Sequence, residues 1–228
     1  MIKIQPIVRN IVLGEMEAYF ALTNGYMNMS SYAYKIKRGV ENLTKKPVTI
    51  TSLVISLSRL KKEFKKEKPL FQEIVISSIT TKLPLTEIVY ENTKNIIDKL
   101  ESLHKNVSIG REDFFTSTIG TSELTIVCSS NIANKVLKHF KEEPKITIEN
   151  LSAIGISFDL KYFSTPNIIF SLVSVVARAR INIVEIVSTY TELIFVVSEK
   201  DFSQTITLFS ELNKKSNKEI TDPSQLIQ

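Results

Sequence analysis

The chain has 228 residues, 43% hydrophobic and 23% charged, which is more length than one compact unit usually takes and enough apolar content for a buried core. Its formal charge of +5 is unevenly spread: residues 1–68 hold thirteen Lys and Arg against five Asp and Glu, and the remainder carries a net −3. This balance excludes a disordered chain and confines the case for an anionic partner to the first segment.

The first segment reads as three helices. Ile7, Val8, Ile11, Val12, Met16, Tyr19 and Phe20 recur at three-to-four-residue spacing before Gly25 and predict one amphipathic helix. A second helix is expected with Ser30 as N-cap and Ile36, Val40 and Leu43 on one face. A third follows "TKKPVT", capped by Thr49 or Thr51, with Leu53, Val54, Leu57, Leu60 and Phe64 as its apolar stripe. The lysine-rich run "KKEFKKEKP" ends in proline and marks a linker, so the first domain is expected to span 1–68.

Beyond it, β-rich runs alternate with helices. Strands are expected at 71–81, 113–118, 122–128 and 145–150, with helices at 91–104 and 131–140, in the order β-α-β-β-α-β. A second round comes next: strand 151–159, a loop and helix over 165–180, strands 181–188 and 192–198, and a helix 201–212. The tail is too polar to predict a last strand. The hairpin "FFTSTIGTSELTIVCSS" returns in "INIVEIVSTYTELIFVVSEKD", and its Glu-Leu pair recurs at Glu123 and Glu192, 69 residues apart. That spacing suits a duplicated split β-α-β unit, so the domains are expected at 69–150 and 151–228. Along 192–198 both faces are apolar, so one face needs a cover besides its helices.

Two tandem βαββαβ units of this length resemble ACT domains, small regulatory modules that bind amino acids. The second copy, with "AIGISF", "STPNII" and "INIVEIVSTYTELIFVV", is similar to the second ACT domain of aspartokinase regulatory regions. The resemblance implies an α+β protein of tandem ferredoxin-like units with an N-terminal three-helix domain. It also implies an amino-acid site at the junction of two units, with Thr165, Pro166, Asn167 and Ile168 from the loop and Asn182 and Ile183 from the strand. Asn167 stands where the family pattern has glycine; asparagine tolerates positive φ better than most residues. In the first copy, "TTKLPLTE" is the equivalent stretch.

No catalytic constellation is legible. His104 and His139, the only histidines, are expected in solvated or capping roles. The single Cys128 permits neither a zinc cluster nor an intrachain disulfide. The six glycines never group into a phosphate-cradling loop. A non-catalytic protein without cofactor is therefore expected. The lone cysteine favours a reducing compartment. "MIKIQPIVRN" lacks a signal peptide's apolar stretch, and Ile168–Ala177 falls far short of the about 20 residues a membrane span needs. The expectation is a cytoplasmic protein with no membrane partner.

A basic helical domain before a sensor module resembles the plan of one-component transcription regulators. In that reading the third helix presents Thr51, Ser52, Ile55, Ser58 and Arg59 to DNA bases, while Lys45, Lys46, Lys61 and Lys62 meet phosphates. Three outcomes are thus expected as alternatives: an amino-acid-sensing transcription regulator, a regulatory subunit docking on a biosynthetic enzyme, or a ligand-free scaffold. A homodimer is expected in each.

Overall fold

The computed structural model describes residues 4–67, 74–162 and 164–221, with side chains as far as residue 213. The chain divides into two units, Met1–Leu70 and Phe71–Gln228.

The first unit holds four helices where three were expected: α1 (Ile4–Gly14), α2 (Met16–Thr23), α3 (Met29–Thr44) and α4 (Ile50–Phe64). The run expected as one helix over residues 7–20 breaks at Glu15, whose backbone is extended. Glu15 there accepts hydrogen bonds from Lys35 at 2.7 Å and from the Tyr32 hydroxyl at 3.2 Å, tying the break to α3. Helix α3 is capped by Asn28 and not by Ser30: the Asn28 side chain accepts from the Ser31 N–H. Thr49 caps α4, accepting from the Ser52 N–H. Val8, Val12, Leu22, Ile36, Val40, Leu53, Leu57, Leu60 and Phe64 meet in one core. The predicted stripe of α4 is therefore its buried face.

The second unit is built on one curled antiparallel sheet. Its strands are β1 (Ile76–Glu91), β2 (Phe115–Ile119), β3 (Glu123–Ser129), β4 (Ile146–Phe158), β5 (Ile183–Ser188) and β6 (Glu192–Ser198). Helices α5 (Lys94–Asn106), α6 (Ser130–Phe140), α7 (Ile168–Arg178) and α8 (Phe202–Thr221) complete it. Strand order is β2-β3-β1-β4-β6-β5.

This order departs from two separate four-stranded units. The stretches 145–150 and 151–159, expected as two strands, form the single strand β4. Its first residues pair with Glu87–Val89, and Ala153–Ser157 pair with Ser78–Lys82. Strand β1 is likewise used twice, because it continues through "TTKLPLTE", which was expected at the position of a loop. Pro84, following a cis bond, lies at a register shift where its missing N–H interrupts the ladder. Each half of the sheet then has four strands in ferredoxin-like order, β2-β3-β1-β4 and β1-β4-β6-β5, with the central pair common to both. The predicted strand over 71–81 is described only from residue 74, and the tail beyond 221 lies outside the described residues.

Helices cover one face of this sheet. Ile88, Tyr90, Leu124, Ile126 and Cys128 pack on α5 and α6, with the Tyr90 and Phe140 rings stacked at 4.6 Å. Ile154, Ile156, Phe195 and Val197 pack on α7 and α8. Cys128 is fully buried, and burial pushes its thiol up to about 12. On the opposite face, a row of Leu85, Val127, Leu151, Ala153 and Val196 crosses the sheet, joined by Phe114, Val184 and Ile194. The second apolar face of β6 lies in this row.

Glu87, paired in register with Val127, sits in the same row at 7% exposure. Burial, assisted by the negative charge of Glu185, raises its pKa above the ordinary 4.5. Its Oε2 has no hydrogen-bond partner among the described residues. The folded-state value lies above the unfolded one, so the favourable contribution is present at acid pH and is lost as pH rises through the folded value. Glu87→Met is therefore expected to stabilise the protein at pH 7 by about 1 kcal/mol or more. The gain should shrink toward pH 4.5, which urea melts at both pH values would measure.

Candidate ligand site in the second half of the sheet

The two hairpins are alike in local geometry. Strands β3 and β6 bury the same positions. The Gly120 N–H donates to the Glu123 carbonyl, and 69 residues on the Thr189 N–H donates to that of Glu192. At the head of each helix the hairpin is gripped in the same way: the Asn92 N–H donates to the Ser122 carbonyl and the Phe158 N–H to that of Thr191.

The halves differ in the length of chain between that grip and the helix. Between β1 and α5 the chain needs only Asn92 and Thr93; the Asn92 side chain donates to the Gly120 carbonyl at 2.7 Å, and Thr93 caps α5. Between β4 and α7 lie residues 159–167, with a short 3-10 turn over Leu160–Tyr162. Between the hairpin and the described residues of this segment lies an open cavity of about 660 Å³, within the range of small-molecule sites.

Phe158, Ile168, Val173 and Leu193 form part of its apolar lining, and Thr165, Asn167, Ser188 and Thr189 supply uncharged polar groups. Tyr162 also lines it; its ring meets Phe158 edge-on at 6.5 Å. The Tyr162 hydroxyl oxygen accepts from the Val75 N–H at 3.1 Å, tying the loop to the approach of β1.

Of the six expected ligand-site residues, Thr165, Asn167 and Ile168 line this cavity. Pro166 is beside them in the chain. Asn182 and Ile183 are not brought to it: they come after the C-terminal end of α7, where the Ile181 N–H donates to the Val176 carbonyl, while the loop lies at its N-terminal end. Phe158, Tyr162, Tyr190 and Leu193 were missed by sequence reasoning, because they reach the cavity only once the loop folds back over the hairpin.

Asn167 occupies the left-handed region, φ 68° and ψ 12°, as N-cap of α7 without a side-chain capping bond. The position thus demands the conformation that glycine or asparagine adopts at least cost.

Among the described residues, no group of three or more His, Cys, Asp or Glu is placed to hold a metal ion. His139 is more than solvated: its Nε2 lies 2.8 Å from the Lys99 carbonyl, linking α6 to α5, while His104 meets the Phe115 ring. No helix among the described residues is long and apolar enough to cross a membrane.

Comparison with known structures gives an ACT-like fold. The chain is similar to Clostridium acetobutylicum aspartate kinase, with TM-score 0.50 and 16% identity over 64% of this chain and 37% of that one. It is similar to the regulatory subunit of aspartate kinase from Thermus flavus, with TM-score 0.50 and 10% identity over 60% of this chain and 98% of that subunit. At these identities the likeness is one of fold, and this chain spans little more than a third of the Clostridium enzyme's length. No family model matches the chain, and no curated protein matches it in sequence.

The backbone of Asn167 gives a direct check. Asn167→Val, a β-branched residue at positive φ, is expected to cost about 1–3 kcal/mol in a urea melt, whereas Asn167→Gly should leave stability within about 0.5 kcal/mol.

Proposed function

We propose that this protein is a non-catalytic, amino-acid-sensing regulatory protein whose effector occupies the cavity between the 159–167 loop and the β5–β6 hairpin. The observation that carries the reading is the cavity's position. In an ACT-like fold, the loop between the first strand and first helix is where the family resemblance places its ligand. Here that loop is extended in the second half alone. The resemblance to aspartokinase regulatory regions supports a role in controlling an amino-acid biosynthetic enzyme, with the protein acting as a homodimer.

The test is a thermal-shift screen of the full chain against the twenty amino acids. An effector at about 100 times its dissociation constant adds about 2.7 kcal/mol, so a clear rise in Tm with one amino acid is the expected result. A flat response across all twenty would remove the sensing reading and favour the scaffold.

A second output is supported by one feature of the first unit, its basic outward surface. Thr51, Ile55, Arg59 and Lys62 form the exposed stripe of α4, and Lys45 and Lys46 are exposed in the turn before it. A groove of about 480 Å³ beside α4 is lined by Lys46, Ser52, Ile55 and Arg59 among others, with no carboxylate in its lining. In this reading the stripe, with Ser58 and Lys61 at its flank, contacts DNA. The five-residue turn Lys45–Thr49 is longer than the usual turn of about 3–4 residues in a helix-turn-helix. Arg59→Ala with Lys62→Ala should then weaken retardation of duplex DNA and flatten its salt dependence by about 0.9 per lost phosphate contact. Unchanged retardation would remove α4 from the interface.

A further inference from the structure

The groove beside α4 in the first unit is lined by polar groups that the fold itself does not use. Ser56, in the middle of α4, is only 8% exposed, yet its hydroxyl makes no hydrogen bond among the described residues. The Oε1 of Gln5, from the first turn of α1, is buried without a partner, and Gln5 lines the same groove. Arg59 follows three residues after Ser56 on the same helix face, and Lys46 enters from the α3–α4 turn; both are exposed, and neither is in an ion pair among the described residues. The neighbouring acids are engaged elsewhere. Glu41 accepts from the Val48 N–H at 2.9 Å and lies 3.8 Å from the Lys37 Nζ. Glu63, one turn beyond Arg59, is bound to Arg9 at 2.6 Å.

We propose that this groove binds one phosphate group, carried either by a small organic molecule or by a nucleic-acid backbone. A buried polar group without a partner is costly unless something bound supplies one. A phosphate accepts at once from the Ser56 hydroxyl, the Arg59 guanidinium and the Lys46 ammonium, while the Gln5 amide presents an N–H or an oxygen according to which way it is turned. A planar carboxylate has only two oxygens for these converging donors. The positive end of the α4 dipole adds to them, with Ser52 of its first turn on the groove. Pro47, Val48 and Ile55 supply apolar wall, and about 480 Å³ leaves room for the body that carries the phosphate. The inference is independent of amino-acid sensing in the second unit. It draws on the same groove as the DNA reading and goes beyond it, because the groups that hold the phosphate do not require a duplex.

Titration of the full, isotope-labelled chain with phenyl phosphate, followed by NMR, tests this beside retardation of duplex DNA. Phenyl phosphate is expected to shift the amide signals of Val48, Ser52 and Ser56 saturably, and inorganic phosphate to compete with it. Ser56→Ala, which removes an unbonded hydroxyl, and Arg59→Gln, at an exposed position, should each weaken that binding at least ~10-fold with circular dichroism unchanged. If phenyl phosphate also releases retarded duplex and Ser56→Ala weakens retardation, the phosphate is that of a nucleic-acid backbone. If the duplex is not retarded, or is retarded equally by the Ser56→Ala protein, the phosphate is that of a small molecule, and the DNA reading of the groove falls while the inference stands. Absence of saturable shifts at those amides, or phenyl phosphate affinity unchanged in either variant, would overturn the inference itself.

Discussion

The antiparallel pairing of β1 with β4 is the constraint on which the second unit depends. Both strands are longer than one ferredoxin-like half requires, at 16 and 13 residues, and each changes role part-way along. The change falls at the same level on both. Register shifts flank Leu85, Pro84 interrupts the ladder on β1, and Asn150 takes positive φ on β4. The bulges let one end of each strand serve the first half and the other end the second without breaking the sheet. The first half is therefore closed by its own segment of chain, and the second is not. The first half takes its fourth strand from the beginning of β4, and the second takes its own from the beginning of β1, more than 60 residues upstream.

This explains which parts of the fold were legible in the sequence. The hairpins were, because period-two alternation and the Glu-Leu pair are local signals that survive duplication. The first half's fourth strand was also legible, at 145–150; the origin of the second half's was not, because long-range pairing leaves no local signature. Pro84 reinforced the error: in a sequence, Leu-Pro reads as a loop, whereas in the fold it occupies an irregular point of a strand. In the first unit, apolar spacing runs unbroken from Ile7 to Phe20, but the break at Glu15 is set by partners on α3. Spacing within a helix cannot report partners supplied from another.

The candidate site divides along the same line. Thr165, Asn167 and Ile168 were found because the loop motif lies at the start of a recognisable helix. The rest of the lining comes from Phe158, Tyr162, the first turns of α7 and the tip of the β5–β6 hairpin, which are separated in the sequence. Asn182 and Ile183 mark the opposite end of α7, so a site built on both groups would need a second copy of this half. The two halves differ there in loop length: two residues link β1 to α5, and nine link β4 to α7. The hairpins β2–β3 and β5–β6 are alike, and the difference lies where a loop can lengthen at little entropic cost.

Tyr162 connects these two themes. Its ring belongs to the cavity wall, while its hydroxyl oxygen accepts from the Val75 N–H just before β1 begins. The segment it holds is the start of the strand that completes the second half. Under the proposed function, a ligand packed against the Tyr162 ring would act on a side chain that also fixes the approach to β1. That hydrogen bond spans 87 residues of sequence, joining the loop that makes the cavity to the strand that the second half borrows. The cavity and the borrowed strand also meet at Phe158, which lines the cavity and pairs in register with Ile76 at the beginning of β1.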